Sequence, residues 1–547
     1  MEGNVSQHFC IRRRTTACIG ALAVGVSVVA IAAQQGPGTG SALVVATLRR
    51  VATVDERYQS YNVEMAEVIG GNFWKPYDQR QPVAVPAPAV GSSAAAQPAG
   101  QDPSLFQTRP PIDLSNARLR KLAAALGPAY MRTSGTWANM VYFHDADTPP
   151  PATAPNGFQG VLTRAEWNGV VDFTHAVDAK LMSSFTISQG VRNSSGVWTP
   201  DQARRFVNYT KTAGGEIAAA EFFNEPDMPS FGGAPKEYTA EDYARDFALF
   251  GTFAKATVPQ MQIVGPGSVG EGTLMPMMQG GGLAAGLVPT EAMLAANPKP
   301  VFDIFSYHHY GAASQRCASM GAGAQTTADA ALSEEWLSRT DKSYDFYGAL
   351  RDRYEPGTPI WITETADAAC GGNPWASQFL DTFRYVDQMG RLARRGVSVI
   401  FHNTLASSEY GLLEENSFTP RPNYWAAVLW RRLMGTTVLD AGAIEPGFHV
   451  YAQCLAKHPG GVTVLAINTS RTEPQSIDIP KQIEQYTLSA QKLGDTAVKL
   501  NGHELALQAN DALPELQPTR IAAGRVTIAP ATISFLAIPD AGNATCR

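Results

Sequence analysis

Apolar, β-rich runs alternate with amphipathic stretches through most of this chain, and that alternation restricts the fold more than any other feature. The runs lie at 129–135 (AYMRTSG), 181–188 (LMSSFTIS), 218–226 (AAAEFFNEP), 262–269 (QIVGPGSV), 302–310 (FDIFSYHHY), 359–364 (PIWITE) and 397–405 (VSVIFHNTL). Residues 58–67 (YQSYNVEMAE) read as a further strand ahead of them. Helical patterns at 116–126, 164–178, 240–256 and 377–395 lie between runs. Strands joined through helices need right-handed crossovers and build a parallel sheet. Eight such units ending near Met434 favour a closed (β/α)8 TIM barrel over an open doubly wound sheet. No GxxxxGK[ST] phosphate loop occurs.

The pattern changes after residue 436. Short alternating strands (FHVYAQCL, GVTVLAIN, RVTIAP, TISFLAIP) separated by polar and Pro turns read as a C-terminal antiparallel β-sandwich over 437–547. The barrel then spans 58–436, and a strand-like segment at 43–57 is expected to join the β domain. Residues 83–111 are mostly Ala, Pro, Gly, Ser and Gln without periodicity, and read as a disordered insertion in the barrel.

The N-terminus reads as an export signal over 1–33. Arg12, Arg13 and Arg14 precede an uncharged run from Ile19 to Ala33, which is short for a membrane span. The chain is thus expected to be secreted or periplasmic, or membrane-anchored if the signal is not cleaved, with no other membrane segment. Of six cysteines, Cys10 and Cys18 fall in that signal. Cys317, Cys370, Cys454 and Cys546 remain, and an even count in an exported chain without CxxC or His clusters favours disulfides over a metal site. Four cysteines allow three pairings; order along the chain suggests Cys317 with Cys370 and Cys454 with Cys546. No metal and no organic cofactor is expected. Lys and Arg total 43 against 49 Asp and Glu, a formal charge of −6, which argues against a nucleic-acid partner.

Barrel enzymes work at the carboxyl ends of their strands. Glu225 closes the fourth run in Phe222-Phe223-Asn224-Glu225-Pro226, and Glu364 closes the seventh in Trp361-Ile362-Thr363-Glu364-Thr365. Two carboxylates facing each other across a barrel mouth meet the requirement of glycoside hydrolysis, one as proton donor and one as nucleophile. Burial beside the phenylalanines, with the other carboxylate's charge, would raise one pKa and make it the acid. Glu225 is read as that acid/base and Glu364 as the nucleophile.

With these motifs the chain resembles the clan A retaining glycosidases, and within them glycoside hydrolase family 79, the heparanases and β-glucuronidases. The resemblance runs from about Tyr61 to the C-terminus and includes the segment 411–435 (GLLEENSFTPRPNYWAAVLWRRLMG). It implies that Asn224 contacts the sugar 2-hydroxyl, that Tyr310 holds the nucleophile, and that His308 lines the same subsite. It also implies that Tyr410 and the backbone amides of Gly371 and Gly372 receive a glucuronate carboxylate, and that Thr136 lies nearby. Cys454 and Cys546 match a disulfide of the heparanase branch. Arg132 and Trp375 are given no role.

The family resemblance leads to an expected substrate, a glucuronide or glucuronic-acid-containing glycan. No Lys/Arg cluster near the strand ends resembles a patch for a sulfated polymer, so an exo-β-glucuronidase is favoured over a heparanase-like endo-β-glucuronidase. A catalytically silent carbohydrate-binding barrel is the alternative of another class; the presence of both glutamates speaks against it.

Overall fold

Eight parallel strands close into a barrel in the computed structural model, which describes residues 42–77, 103–277 and 286–547. They are β1 (Gln59–Asn62), β2 (Ala129–Thr133), β3 (Ala179–Ser183), β4 (Ile217–Glu221), β5 (Gln262–Val269), β6 (Ile304–Ala313), β7 (Ile360–Ala369) and β8 (Val399–His402). Ile400 of β8 pairs with Gln59 of β1, which closes the ring. Gly265 to Gly270 spells a GxGxxG, but residues 265–269 lie inside β5, so it is not the strand-to-helix turn that a dinucleotide-binding motif requires.

The barrel interior is layered because side chains alternate along each strand. Tyr130, Met182, Ala219, Val264, Ile304, Trp361, Val399 and Phe401 form an apolar plug near the amino-terminal end. Two residues further along the same faces come Arg132, Glu221, Ser306 and Thr363, all fully buried. The polar layer therefore rests on a dry floor. Outward-facing residues meet the helices: Tyr307 stacks on Tyr347 at 4.6 Å, and His309 bonds Ser343 at 2.8 Å. Capping boxes set two of the helix starts, Thr163 with Glu166 before Arg164–Ala176 and Thr239 with Asp242 before Ala240–Thr257.

The C-terminal β domain begins as soon as helix Pro422–Leu433 ends, with strand Met434–Leu439. Its large antiparallel sheet takes in the short strand Arg50–Thr53, which pairs with Met434–Leu439. Only those four residues of 43–57 are strand; Val45–Thr47 is a 3-10 turn. Strand Val462–Asn468 is buried along its whole length, since its two faces serve different partners. Val464 and Ala466 face Ile479, Val526 and Ile528 of a smaller two-stranded sheet, while Leu465 and Ile467 belong to the core shared with the barrel helices. The disulfides are Cys317–Cys370 and Cys454–Cys546.

Three sequence expectations need correction. Residues 103–111, read as part of a disordered insertion, hold the strand Phe106–Arg109, which pairs antiparallel with Gly71–Trp74. The Ala/Pro-rich composition hid it, but Phe106 stacks on Trp74 at 4.7 Å and Arg109 pairs with Glu415, so this end of the segment has both apolar and ionic anchors. The first run is strand only over Gln59–Asn62; Met65–Ile69 turns into a helix capped by Glu64 and Glu67. The fourth ends at Glu221, four residues before Glu225. The remainder of the insertion and the signal segment with Cys10 and Cys18 lie outside the described residues. Among the described residues no helix is long and apolar enough to cross a membrane.

Candidate active site

Local backbone irregularities bring the charged side chains together at the carboxyl ends of the strands. On β7 the register slips by one, so that Tyr307 pairs with Ile362 but His308 with Glu364. Thr363 is the extra residue of this bulge, and the bulge lets Thr363 and Glu364 both face the barrel interior. After β4 the chain leaves the sheet through Phe222 and Phe223, both buried among aromatic rings. Asn139 then grips the next peptide from both sides: its Oδ1 accepts the Asn224 N–H and its Nδ2 donates to the Asn224 carbonyl, each at 2.9 Å. Glu225 follows at φ 50°, a left-handed conformation unusual for a residue with a Cβ, which turns its carboxyl back toward β6.

Arg132 organises the layer beneath. It donates to Glu221 Oε2 (2.8 and 3.1 Å), Glu364 Oε2 (3.0 Å) and Asn224 Oδ1 (2.7 Å). Glu221 also accepts from Ser306 Oγ at 3.1 Å and Thr363 Oγ1 at 2.6 Å. Burial alone would raise the Glu221 pKa, but the Arg132 charge, His308 3.9 Å away and the Thr363 hydrogen bond outweigh it and bring it down to about 2. Because Asn224 Oδ1 is turned onto Arg132, its amide NH2 points the other way.

Above this layer Glu225, His308 and Glu364 each present an atom within 4.8 Å of the other two. His308 Nδ1 lies 3.1 Å from Glu225 Oε1. Burial lowers the His308 pKa, yet the Glu364 charge, the nearby Glu221 and the bond to Glu225 push it up to about 10. The trio's spacing could span a metal ion, and the raised His308 also suits a proton shared within it. Glu225 is raised, first by burial and then by Glu364, against the His308 hydrogen bond. Glu364 instead receives donors from Arg132 at 3.0 Å and Tyr310 Oη at 2.5 Å, with Asn403 Nδ2 3.5 Å away. The two carboxyl groups are thus held by different hydrogen-bond partners.

Asn403 links this cluster to Tyr410, whose Oη it reaches at 3.2 Å, and to Glu64 at 3.0 Å. The Tyr410 ring lies against Gly372: a Cβ there would come 3.0 Å from Tyr410 Cδ1. Cys370, Gly371 and Gly372 all have positive φ (64°, 78° and 81°), and neither glycine N–H has an acceptor among the described residues. Successive amides in this conformation form an anion-receiving concavity.

The structure therefore brings together Glu225, Glu364, Asn224, His308 and Tyr310, with Tyr410, Gly371 and Gly372 alongside. Thr136 is half-buried in the turn Thr136–Met140 and bonds neither carboxylate, and Trp375 is buried in a turn past the glycine loop. Sequence reading missed Glu221, Asn139, Asn403 and Glu64 and left Arg132 unassigned. The available signal was a charge inside each of two apolar runs, Arg132 in AYMRTSG and Glu221 in AAAEFF, since a charge in the interior of a barrel needs an opposite partner.

No family model matches the chain. A hyaluronoglucuronidase from Hirudo nipponia is 27% identical over 481 residues, 80% of this chain and 92% of that protein. Heparanase-like protein 1 from Arabidopsis thaliana is 25% identical over 495 residues, 80% of this chain and 86% of that protein. Among solved structures, a GH51 arabinofuranosidase from Xanthomonas axonopodis superposes with a TM-score of 0.57 at 15% identity, covering 90% of this chain and 99% of that one, a likeness of fold alone. Barrel and relatives together make the chain a glycoside hydrolase, similar to heparanase-like proteins and in line with the resemblance to family 79 that its motifs carry.

Proposed function

We propose that this glycoside hydrolase is a retaining β-glucuronidase, with Glu364 attacking the anomeric carbon and Glu225 serving as acid and then as base. The observation that carries this is the close, unequal carboxyl pair: oxygens of Glu225 and Glu364 lie within 4.8 Å of each other, Glu225 beside His308 and Glu364 under donors from Arg132 and Tyr310. Retaining enzymes hold their carboxyl groups about 5–5.5 Å apart, whereas inverting enzymes leave room for a water. In the first step Glu225 protonates the leaving oxygen while Glu364 forms the glycosyl ester. In the second, Glu225, now ionised, takes a proton from the water that releases the sugar.

The preference for a glucuronide rests on the Gly371 and Gly372 amides beside Tyr410, which have no acceptor among the described residues and suit a carboxylate, and on relatives named for glucuronidase activity. Arginines of this region are already paired: Arg109 with Glu415, Arg132 with Glu221 and Glu364, Arg316 with Glu409. A sulfated polymer would find little free cationic charge in them, which supports an unsulfated substrate cut from its end. The likeness to a hyaluronoglucuronidase favours a second reading, internal cleavage of a glucuronic-acid polysaccharide. Two disulfides suit an oxidising compartment and accord with export.

Hydrolysis of an aryl β-glucuronide followed by NMR is expected to give the β-anomer first, and Glu364→Ala to abolish it. No turnover of any glucuronide by the wild type, or first release of the α-anomer, would refute the assignment. Sizing the products from a glucuronic-acid polysaccharide separates the modes: monosaccharide alone means end-wise cleavage, oligosaccharides mean internal cleavage.

A further inference from the structure

Arg316 sits directly behind the glycine loop, and its side chain is 4% exposed. Its Nε donates to the Lys75 carbonyl at 2.9 Å, and its Nη1 to the carbonyls of Gly372 (2.9 Å) and Cys370 (3.3 Å). Nη2 pairs with Glu409, and the guanidinium lies 3.8 Å from the centre of the Tyr77 ring. Each guanidinium nitrogen is engaged, and four of its five N–H groups have acceptors among the described residues. The neighbouring residue, Cys317, is bonded to Cys370, so the arginine and the loop it holds are covalently tied.

A trans peptide is planar, with its C=O and N–H on opposite sides. The Cys370 carbonyl is drawn back by Arg316 and by Ser314 Oγ at 2.9 Å, so the Gly371 N–H points away from them. The Gly371 carbonyl accepts from Glu409 N–H at 3.2 Å, so the Gly372 N–H points away from Glu409. The Gly372 carbonyl accepts from Arg316 and from Tyr77 Oη at 3.1 Å, and the next amide, Asn373 N–H, is directed onto Asp367 Oδ2 at 3.1 Å. Three consecutive peptide planes are fixed through their carbonyl partners, and the first two of their amides have no acceptor among the described residues.

We propose that Arg316, held by the Cys317–Cys370 staple and neutralised by Glu409, is the positioning residue that aims the Gly371 and Gly372 amides and so determines selectivity for a uronate over the neutral sugar. Since Glu409 cancels its charge, Arg316 acts through peptide orientation and not as a counter-ion. The proposal rests on the glucuronidase reading above.

Its test compares competitive inhibition by D-glucuronate and by D-glucose, with aryl β-glucuronide kinetics, in wild type, Arg316→Met and Arg316→Lys. In Arg316→Met, glucuronate inhibition and KM for the glucuronide are expected to weaken by about tenfold to hundredfold, as for lost charge-assisted hydrogen bonds, while glucose inhibition holds and kcat changes by less than about threefold. If Arg316→Met does not fold, Arg316→Lys decides. A single ammonium cannot serve Lys75, Cys370, Gly372 and Glu409 at once, so the same directional shift is expected. Equal weakening toward both sugars, or an unchanged glucuronate-to-glucose ratio in a folded variant, overturns the proposal. A wild type that binds glucuronate no better than glucose refutes the glucuronidase reading instead, before any variant is compared.

Discussion

At the scale of single residues, Arg132 shows how a barrel can hold charge in its interior. A buried ion pair is stable only when its remaining donors and acceptors are met, and Arg132 spreads four hydrogen bonds over Glu221, Glu364 and Asn224. Arg132→Met leaves Glu221 buried without its guanidinium partner, with Ser306, Thr363 and the more distant His308 around it. We expect a loss of about 3–5 kcal/mol in urea unfolding, partly recovered by adding Glu221→Gln, since that variant removes the stranded charge. Additive losses in the double variant would show that the two do not act as a pair. Asp367 is the opposite case. Burial, with Asp381 nearby, raises it to about 7 against the pull of Arg384. An unfolded aspartate titrates near 3.9, so between those values the unfolded chain has released a proton that the native state still holds. Stability must then fall as pH rises through that window and level off above it. Asp367→Asn, which can still accept the Asn373 N–H, is expected to raise Tm over wild type more at pH 8 than at pH 4; an equal difference at both would contradict the sign.

At the scale of elements, the barrel was legible because each strand is an apolar run, and both carboxylates were legible because each follows such a run. What composition hid was long-range. Gly71–Trp74 and Phe106–Arg109 pair across a low-complexity segment, and only Phe106 and Arg109, an aromatic and a charge at its far end, hinted at a partner. Strand ends were also obscured: Ala218 to Pro226 reads as one run, but Phe222 and Phe223 prefer the aromatic cluster under helix Ala240–Thr257, and the chain leaves the sheet to reach it. Asn139, on a turn after β2, then substitutes for a strand partner by bonding both sides of the Asn224 backbone. No local pattern announces a pairing of that kind. If the grip positions Glu225, Asn139→Ala should lower kcat/KM about tenfold or more for glucuronides with poor leaving groups and less for those with good ones, which need little protonation. A uniform loss across leaving groups would mean that Asn139 supports the fold and not the acid.

At the scale of the molecule, barrel and β domain belong to one unit, Ala42–Arg547, and a polar network lies within their shared surface. Helix Phe379–Arg394 is buried nearly all round because the large sheet covers the side that the barrel does not, and a Cβ at Gly390 would come within 2.5 Å of the Tyr451 ring. From that sheet His449 places Nδ1 2.6 Å from Asp387 Oδ1 and Nε2 2.9 Å from Glu334 Oε2, and Tyr451 Oη donates to the same Asp387. Arg391 completes the group, with bonds at 2.7 Å to Asp387, Asp341 and Glu334. Burial lowers the His449 pKa, but the Asp387 charge and hydrogen bond outweigh it, with Arg391 opposing and Glu334 assisting, and the net shift is upward. A histidine raised in the native state contributes stability that is complete below its unfolded pKa of about 6.5 and disappears as pH rises through the folded value. His449→Gln keeps a side chain of similar reach without the charge. It should therefore be less stable than wild type by about 1–3 kcal/mol near pH 6, the range for a hydrogen bond to a charged group, and the gap should close as wild-type His449 deprotonates at alkaline pH. Melting curves of both proteins from pH 6 to pH 9 test this. A gap that stays constant would mean that His449 joins the domains as a neutral ring, and that the Asp387 carboxylate is balanced by Arg391 alone.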